Sequence, residues 1–150
     1  INMLPTTSHI YFGRVVGATA DGRLAHEPLS EGISPVQGMD RNGPTAVLNS
    51  ALKIDHLKTG GTLLNQKFTP GFFRDDRDIR KLTQLIRSYF RMNGHHIQFN
   101  VVSVATLRDA QKHPEKHQDL IVRVAGYSDY FNALGRELQD EIIRRTEHGN

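Results

Sequence analysis

Residues 122–131 read VRVAGYSDYF, and the centre of the stretch, Val124-Ala125-Gly126-Tyr127, sets one glycine among bulky apolar and aromatic neighbours. A glycine that follows an apolar run is ordinarily a turn residue whose missing Cβ admits φ > 0. Here the flanks are Val, Ala and Tyr rather than the Asn, Asp or Ser that hairpin turns prefer, so the loop reads as apolar and buried. Buried loops are unusual, because their backbone polar groups must find partners inside the protein. A reason beyond turn geometry is needed.

Working outward, YFNALGRELQDEIIRRTEH (130–148) carries Phe131, Leu134, Leu138, Ile142 and Ile143 on one stripe. That pattern predicts an amphipathic helix closing over the core, with Glu137 and Glu141 one turn apart on the same side. Upstream, DLIVRVAG (119–126) and HIQFNVVSV (96–104) predict apolar strands. Between them the sequence predicts a short helix over 104–112, stopped at the residue before Pro114. Strand, helix and strand in succession predict a βαβ unit with parallel strands and a right-handed crossover. A further helix is predicted over 75–92, where Ile79, Leu82, Leu85, Ile86, Tyr89 and Phe90 recur at helical spacing behind Asp75-Asp76. Asn93-Gly94 ends it.

Residues 1–71 differ in character: GATADGRLAHEP, GISPVQG, DRNGP and KTGGT place turns at short intervals. The elements expected there are a strand at Ile10 to Phe12, a helix over Ala46 to Lys53 and a strand over Thr62 to Phe68. The polar Asn65, Gln66 and Lys67 in the last of these either line a cleft or form the solvated face of an edge strand. The whole chain, 1–150, reads as one domain, with a turn-rich segment (1–71) followed by 72–150, which carries the helix, the βαβ unit, the glycine loop and the closing helix.

Composition narrows the function. At 150 residues, 37% hydrophobic and 23% charged, the chain is a globular piece able to bury a single core. Its 19 Lys and Arg against 16 Asp and Glu give +3 without a basic run, which argues against a nucleic-acid partner. No apolar stretch reaches the ~20 residues of a membrane span and no signal-peptide pattern is present, so no membrane partner is expected and the cytoplasm is the default location. The absence of cysteine excludes disulfides, thiolate metal sites and a thiol nucleophile supplied by this chain. His113 and His117 have an i, i+4 spacing, but Pro114 interrupts it and no third ligand is near, so no metal is expected. DGR (21–23) and KTGGT (58–62) depart from phosphate-loop order and read as turns. The opening INMLPTTSH lacks an initiator methionine, as a processed product, a truncated chain or the ordered part of something longer would.

With these residues in view, LIVRVAGYSDYFNALGRELQDEIIRRTEH resembles the C-terminal signature of glycyl radical enzymes, the pyruvate formate-lyase-like family, whose motif RV(A/S)GY surrounds the radical-bearing glycine. LPTTSHIYFGRVVGATADGRLAHEPLSEGISPVQG, NGPTAVLNSALKIDHLKTGGTLLNQKFTP and HHIQFNVVS are similar to the same family. Their character is closest to the branch of choline trimethylamine-lyase, isethionate sulfite-lyase, hydroxyproline dehydratase and B12-independent glycerol dehydratase.

The resemblance implies an α/β fold, the C-terminal part of a ten-stranded barrel with a radical-bearing loop and a closing amphipathic helix. It makes Gly126 the radical site. It implies no bound cofactor, but a glycyl radical modification installed by an S-adenosylmethionine-dependent iron–sulfur activating enzyme. The implied partners are that enzyme, the cysteine-bearing remainder of the enzyme or a partner glycyl radical enzyme, and a small-molecule substrate of a lyase or dehydratase. Such chemistry is anaerobic and oxygen-sensitive, and this chain by itself is expected to be inactive because it lacks the thiyl cysteine.

Glycine suits the role, since a backbone radical is stabilised when the α-carbon flattens and no Cβ opposes that. Val122, Val124, Ala125 and Tyr127 are expected to shield it. Arg123 points to the opposite face from Val122 and Val124 and supports the loop through a carboxylate or carbonyl, unless it forms an ordinary surface ion pair. Ser128 completes the set of loop-support candidates, and Asn65 and Gln66 are placed near the barrel interior. Three readings stay open: the C-terminal segment of a larger lyase or dehydratase, a stand-alone spare part that repairs an oxygen-cleaved enzyme, and a non-catalytic α/β binding module in which Gly126 is only a turn.

Overall fold

The computed structural model describes Met3, residues 7–145, Glu147 and His148. In chain order the elements are α1 (Ser8–Gly13), α2 (Gly43–Ala51), β1 (Asn65–Phe68), α3 (Asp76–Arg91), β2 (Gln98–Val101), α4 (Val104–Lys112), β3 (Ile121–Arg123), β4 (Ser128–Tyr130), α5 (Arg136–Arg144) and β5 (Glu147–His148). A three-stranded parallel sheet has the order β2-β1-β5, with Asn65 opposite Gln98 and Phe68 opposite both Val101 and His148. A separate antiparallel pair is formed by β3 and β4.

The helices follow local signals. Asp75 caps α3 by accepting from the backbone N–H groups of Arg77 and Asp78, and Asp76 and Asp78 place negative charge in its first turn. Ser103 caps α4 by accepting from Thr106 N–H, and Pro114 follows its end. One apolar core joins α4, β3 and α5 through Leu107, Val122, Val124, Phe131 and Ile142. A second gathers Val47, Leu48, Leu64 and Tyr89. The apolar stripe of α3 is only partly covered, for Tyr89 is fully buried while Ile79 and Phe90 stay exposed.

Four expectations are corrected. Ile10 to Phe12 lie in helix α1, not a strand: His9 and Gly13, four residues apart, form its buried face, and a Cβ on Gly13 would collide with the backbone at Glu27 and Pro28. That close packing outweighs the strand preference of an aromatic, β-branched run. β1 is the central strand, buried along its whole length, not an edge with a solvated face. The predicted βαβ unit does not close, because β3 pairs with β4 rather than with β2. The reason is a side chain: Asn100 donates from Nδ2 to the Arg123 carbonyl and accepts the Arg123 N–H on Oδ1, each at 2.8 Å, occupying the backbone groups that a parallel ladder would need. The parallel pair joined through a helix is β1 and β2, with α3 between them. Lastly, the closing helix is shorter than its stripe. Phe131 sits in a 3₁₀ turn over Phe131–Ala133 and α5 starts after Gly135, while Thr146, in the same predicted helix, lies outside the described residues. Glu137 and Glu141 do not share a surroundings: Glu137 is exposed beside Arg14, and Glu141 is buried.

Candidate functional site

Strands β3 and β4 form a hairpin whose register, Ile121 with Tyr130 through Arg123 with Ser128, is continued by a 2.8 Å bond from Val124 N–H to the Tyr127 carbonyl. The tip is therefore the two residues Ala125 and Gly126. Gly126 has φ of +80° while Ala125 keeps a negative φ, the sign pattern of a type II turn, which demands glycine at its second central position. The loop expected to be apolar and buried is the tip of a hairpin. A type II tip needs neither Asn nor Asp, so apolar residues can occupy its base.

Val122, Val124 and Ala125 are buried in the core, but Gly126, Tyr127 and Ser128 are exposed. The loop is thus buried at its base and open at its tip. A Cβ on Gly126 would approach Leu63 Cδ1 to 3.2 Å.

The base of the tip is held by side chains from three other segments. Gln98, on β2, accepts the Gly126 N–H on Oε1 at 3.2 Å and the Arg123 Nη2 donor on the same oxygen at 2.9 Å. Asn65, on β1, donates from Nδ2 to the Val124 carbonyl at 3.1 Å and to Glu31, and accepts from Gln98 Nε2 on Oδ1. Arg145, the residue ending α5, donates from Nη1 to the same Val124 carbonyl at 3.0 Å. Arg145 is in turn clasped by Glu141, whose two carboxylate oxygens accept from Nε and Nη2 at 2.8–3.1 Å.

Burial governs the electrostatics. It pushes the Glu31 carboxyl up, a rise opposed by the nearby Arg145 charge and the bond from Asn65. For Glu141, burial also raises the pKa, but the Arg145 charge and its hydrogen bonds win and hold it at about 2. Lys67 is buried and brought down to about 8 by desolvation, with Nζ donating to the Ile143 carbonyl at 2.9 Å at the end of α5. A cavity of about 40 Å³ lies between these groups, lined by Glu31, Gln37, Asn65, Lys67 and Arg145 among others.

The structure brings Arg123, Val124, Ala125 and Asn65 together around Gly126. It turns Gln66 elsewhere, with Nε2 donating to the Pro44 carbonyl at 3.2 Å. Arg123 bonds the Gln98 carboxamide and the Ser128 hydroxyl, the latter at 3.1 Å, rather than a carboxylate. Gln98, Asn100, Glu31 and Arg145 belong to the assembly but escaped the sequence reading. For Gln98 and Asn100 the one signal was a polar residue inside an apolar strand, as in HIQFN, while Glu31, in a loop, and Arg145, just past α5, gave none. His117 pairs with Asp109 at 2.7 Å, and among the described residues no cluster of three or more acidic or histidine side chains could hold a metal ion.

A family model described as glycine radical matches residues 29–132, a span that contains the hairpin and every one of these contacts except those of α5. Trans-4-hydroxy-L-proline dehydratase of Clostridioides difficile is 59% identical over 147 residues, 98% of this chain and 19% of that protein. Isethionate sulfite-lyase of Oleidesulfovibrio alaskensis is 46% identical over 151 residues, 99% of this chain and 18% of that protein. Among solved structures, the B12-independent glycerol dehydratase of Clostridium butyricum in its glycerol-bound form superposes with a TM-score of 0.92 at 49% identity, covering 98% of this chain and 19% of that one. The chain thus spans about one fifth of the length of the relatives it matches. The ten-stranded barrel expected from the sequence is not visible in this span, which is a mixed α/β unit with two small sheets. With the match running over more than half of its residues, the chain belongs to the glycine radical family.

Proposed function

We propose that Gly126 carries a backbone glycyl radical and that the chain serves as the C-terminal segment of a larger lyase or dehydratase acting on a small hydroxylated or heteroatom-bearing molecule. The observation that carries this reading is the tip itself. An exposed glycine stands on a base tied down by Gln98, Asn65 and Arg145, so the backbone around one methylene is positioned by three buried side chains.

In this reading an S-adenosylmethionine-dependent iron–sulfur activating enzyme takes one hydrogen atom from the Gly126 α-carbon, leaving one unpaired electron and no change in charge. A cysteine thiol then returns a hydrogen atom to the α-carbon and becomes a thiyl radical, which takes a hydrogen atom from the substrate. This chain has no cysteine, so that thiol belongs to another segment or partner and the chain alone turns nothing over. Exposed Tyr11, Phe12, Val15 and Leu57 support a segment that packs against further protein, as does the open tip. The second reading, a stand-alone spare part docking on an oxygen-cleaved enzyme, draws on the closed core around Val124 and Phe131. The encoding reading frame separates the two: hundreds of codons upstream favour the segment, a start codon just before Ile1 the spare part.

Anaerobic incubation with an activating enzyme and S-adenosylmethionine, followed by electron paramagnetic resonance, tests the radical. The expected signal is a doublet from the single remaining α-hydrogen, collapsing when glycine is deuterated at the α-carbon. A spectrum unmoved by the label places the spin elsewhere.

A further inference from the structure

The carboxamide of Gln98 has its orientation dictated from both ends. Arg123 has only donors, so the atom facing its Nη2 at 2.9 Å is the Gln98 oxygen. The Gln98 amino group then meets Asn65 Oδ1, which leaves the Asn65 amino group to donate to the Glu31 carboxylate and the Val124 carbonyl. Reversing either amide would set an amino group against a donor. The chain of bonds runs in one sense, from the half-buried Arg123 guanidinium through the buried Gln98 and Asn65 to the buried Glu31 carboxylate. Its effect is to present an oxygen to the Gly126 N–H at 3.2 Å. A hairpin tip exposed to solvent has no need of this, since water satisfies such an N–H.

We propose that Gln98 is a positioning residue for radical chemistry at Gly126, a proposal that rests on the reading of Gly126 as the spin carrier. When the α-carbon loses a hydrogen atom, the remaining electron is shared with the amide nitrogen's lone pair. The nitrogen becomes electron-poor and its hydrogen more acidic, so the acceptor on that N–H bonds more strongly to the radical than to the parent glycine. Because the same oxygen is held by the Arg123 guanidinium, it moves little, and the Ala125–Gly126 peptide plane is fixed while the carbonyl side of Gly126 remains free to turn. Gln98 thereby favours the radical state without touching substrate.

The test uses the complete polypeptide that carries this sequence, activated anaerobically, with α-deuterated glycine as the control and spectra taken in H₂O and D₂O. Gln98→Leu removes the acceptor at similar size and is expected to lower the spins formed per chain by about fivefold, the weight of one ordinary hydrogen bond. It should also alter the small coupling to the exchangeable Gly126 amide proton. Gln98→Glu retains an acceptor oxygen for Gly126 and Arg123 but sets its second oxygen against Asn65 Oδ1, so among folded chains it should give a yield above that of the leucine variant, with the amide-proton coupling shifted through its greater negative charge. The glutamate variant keeps the question answerable if the leucine variant does not fold. Wild-type yield and coupling in the leucine variant, or an unshifted coupling in the glutamate variant, overturn the role of Gln98. A wild-type signal indifferent to glycine deuteration instead overturns the assignment of Gly126, whatever the variants do.

Discussion

Arg145 Nη1 lies 3.0 Å from the carbonyl oxygen of Val124, so the last turn of α5 is bonded to the residue two before Gly126. The guanidinium can be buried there because Glu141, folded-state pKa about 2 against an ordinary 4.5, stays ionised beside it. A carboxylate with a depressed pKa contributes stability that is fully present above pH 4.5 and is lost as pH falls from there through 2, here roughly 3 kcal/mol. Thermal melts of wild type and Glu141→Gln should therefore differ most at neutral pH and converge toward pH 2. A constant gap across that range would contradict the pairing.

Lys67 titrates with the opposite consequence. Its folded pKa of about 8 lies below the ordinary 10.5, so the folded state binds fewer protons between those values, and stability rises with pH across that window. Compared with Lys67→Met, the wild type should gain stability as pH is raised from 8 toward 10.5, read as the difference between paired melts.

Asn100→Ala is expected to cost about 1–3 kcal/mol, because it strips the Arg123 N–H of its acceptor and leaves the Arg123 carbonyl only the 3.3 Å bond from Arg145 Nη1. Asn100→Asp should not rescue it, since one carboxylate oxygen would face the Arg123 carbonyl. Denaturant titrations give the magnitude, and faster amide exchange at Arg123 would locate it.

Gly126→Ala should fold. The price is about 1 kcal/mol for a Cβ at positive φ, with Leu63 Cδ1 yielding slightly at 3.2 Å. If Gly126 is the spin carrier, the same variant gives no doublet after activation. Loss of stability with the signal intact would reduce the glycine to a turn residue.

Exposure of an activated sample to air should cut the backbone at Gly126 and release the segment that follows it, from Tyr127 onward, seen by intact mass. An uncut chain after the signal has decayed counts against a radical on this backbone.

The elements with local signatures were legible in the sequence. For α3, the Asp75 cap and the helical recurrence up to Tyr89 suffice, and for α4, Ser103 and Pro114 mark the ends. What the residues did not disclose depends on partners distant in sequence. HIYF reads as a strand until Gly13 is seen against Glu27 and Pro28. β3 reads as the partner of β2 until Asn100 is seen to occupy Arg123. The tip drew attention because its flanks were apolar, yet those flanks serve a hairpin base, and the role of Gln98 was hidden because a glutamine in a strand looks like any solvated side chain.

The torsion at Gly126 has a stereoelectronic consequence. At φ of +80° the bond standing nearly upright on the Ala125–Gly126 peptide plane is Cα–C, while both Cα–H bonds lie closer to that plane. An electron left behind by either hydrogen would start in an orbital inclined away from the nitrogen p-orbital, with little conjugation to weaken the bond being broken. Overlap is recovered only by twisting about N–Cα. If Gly126 is the spin carrier, the resting hairpin is a safety catch on the amide-nitrogen side, in which the angle that suits glycine to the turn withholds that conjugation until the tip is turned.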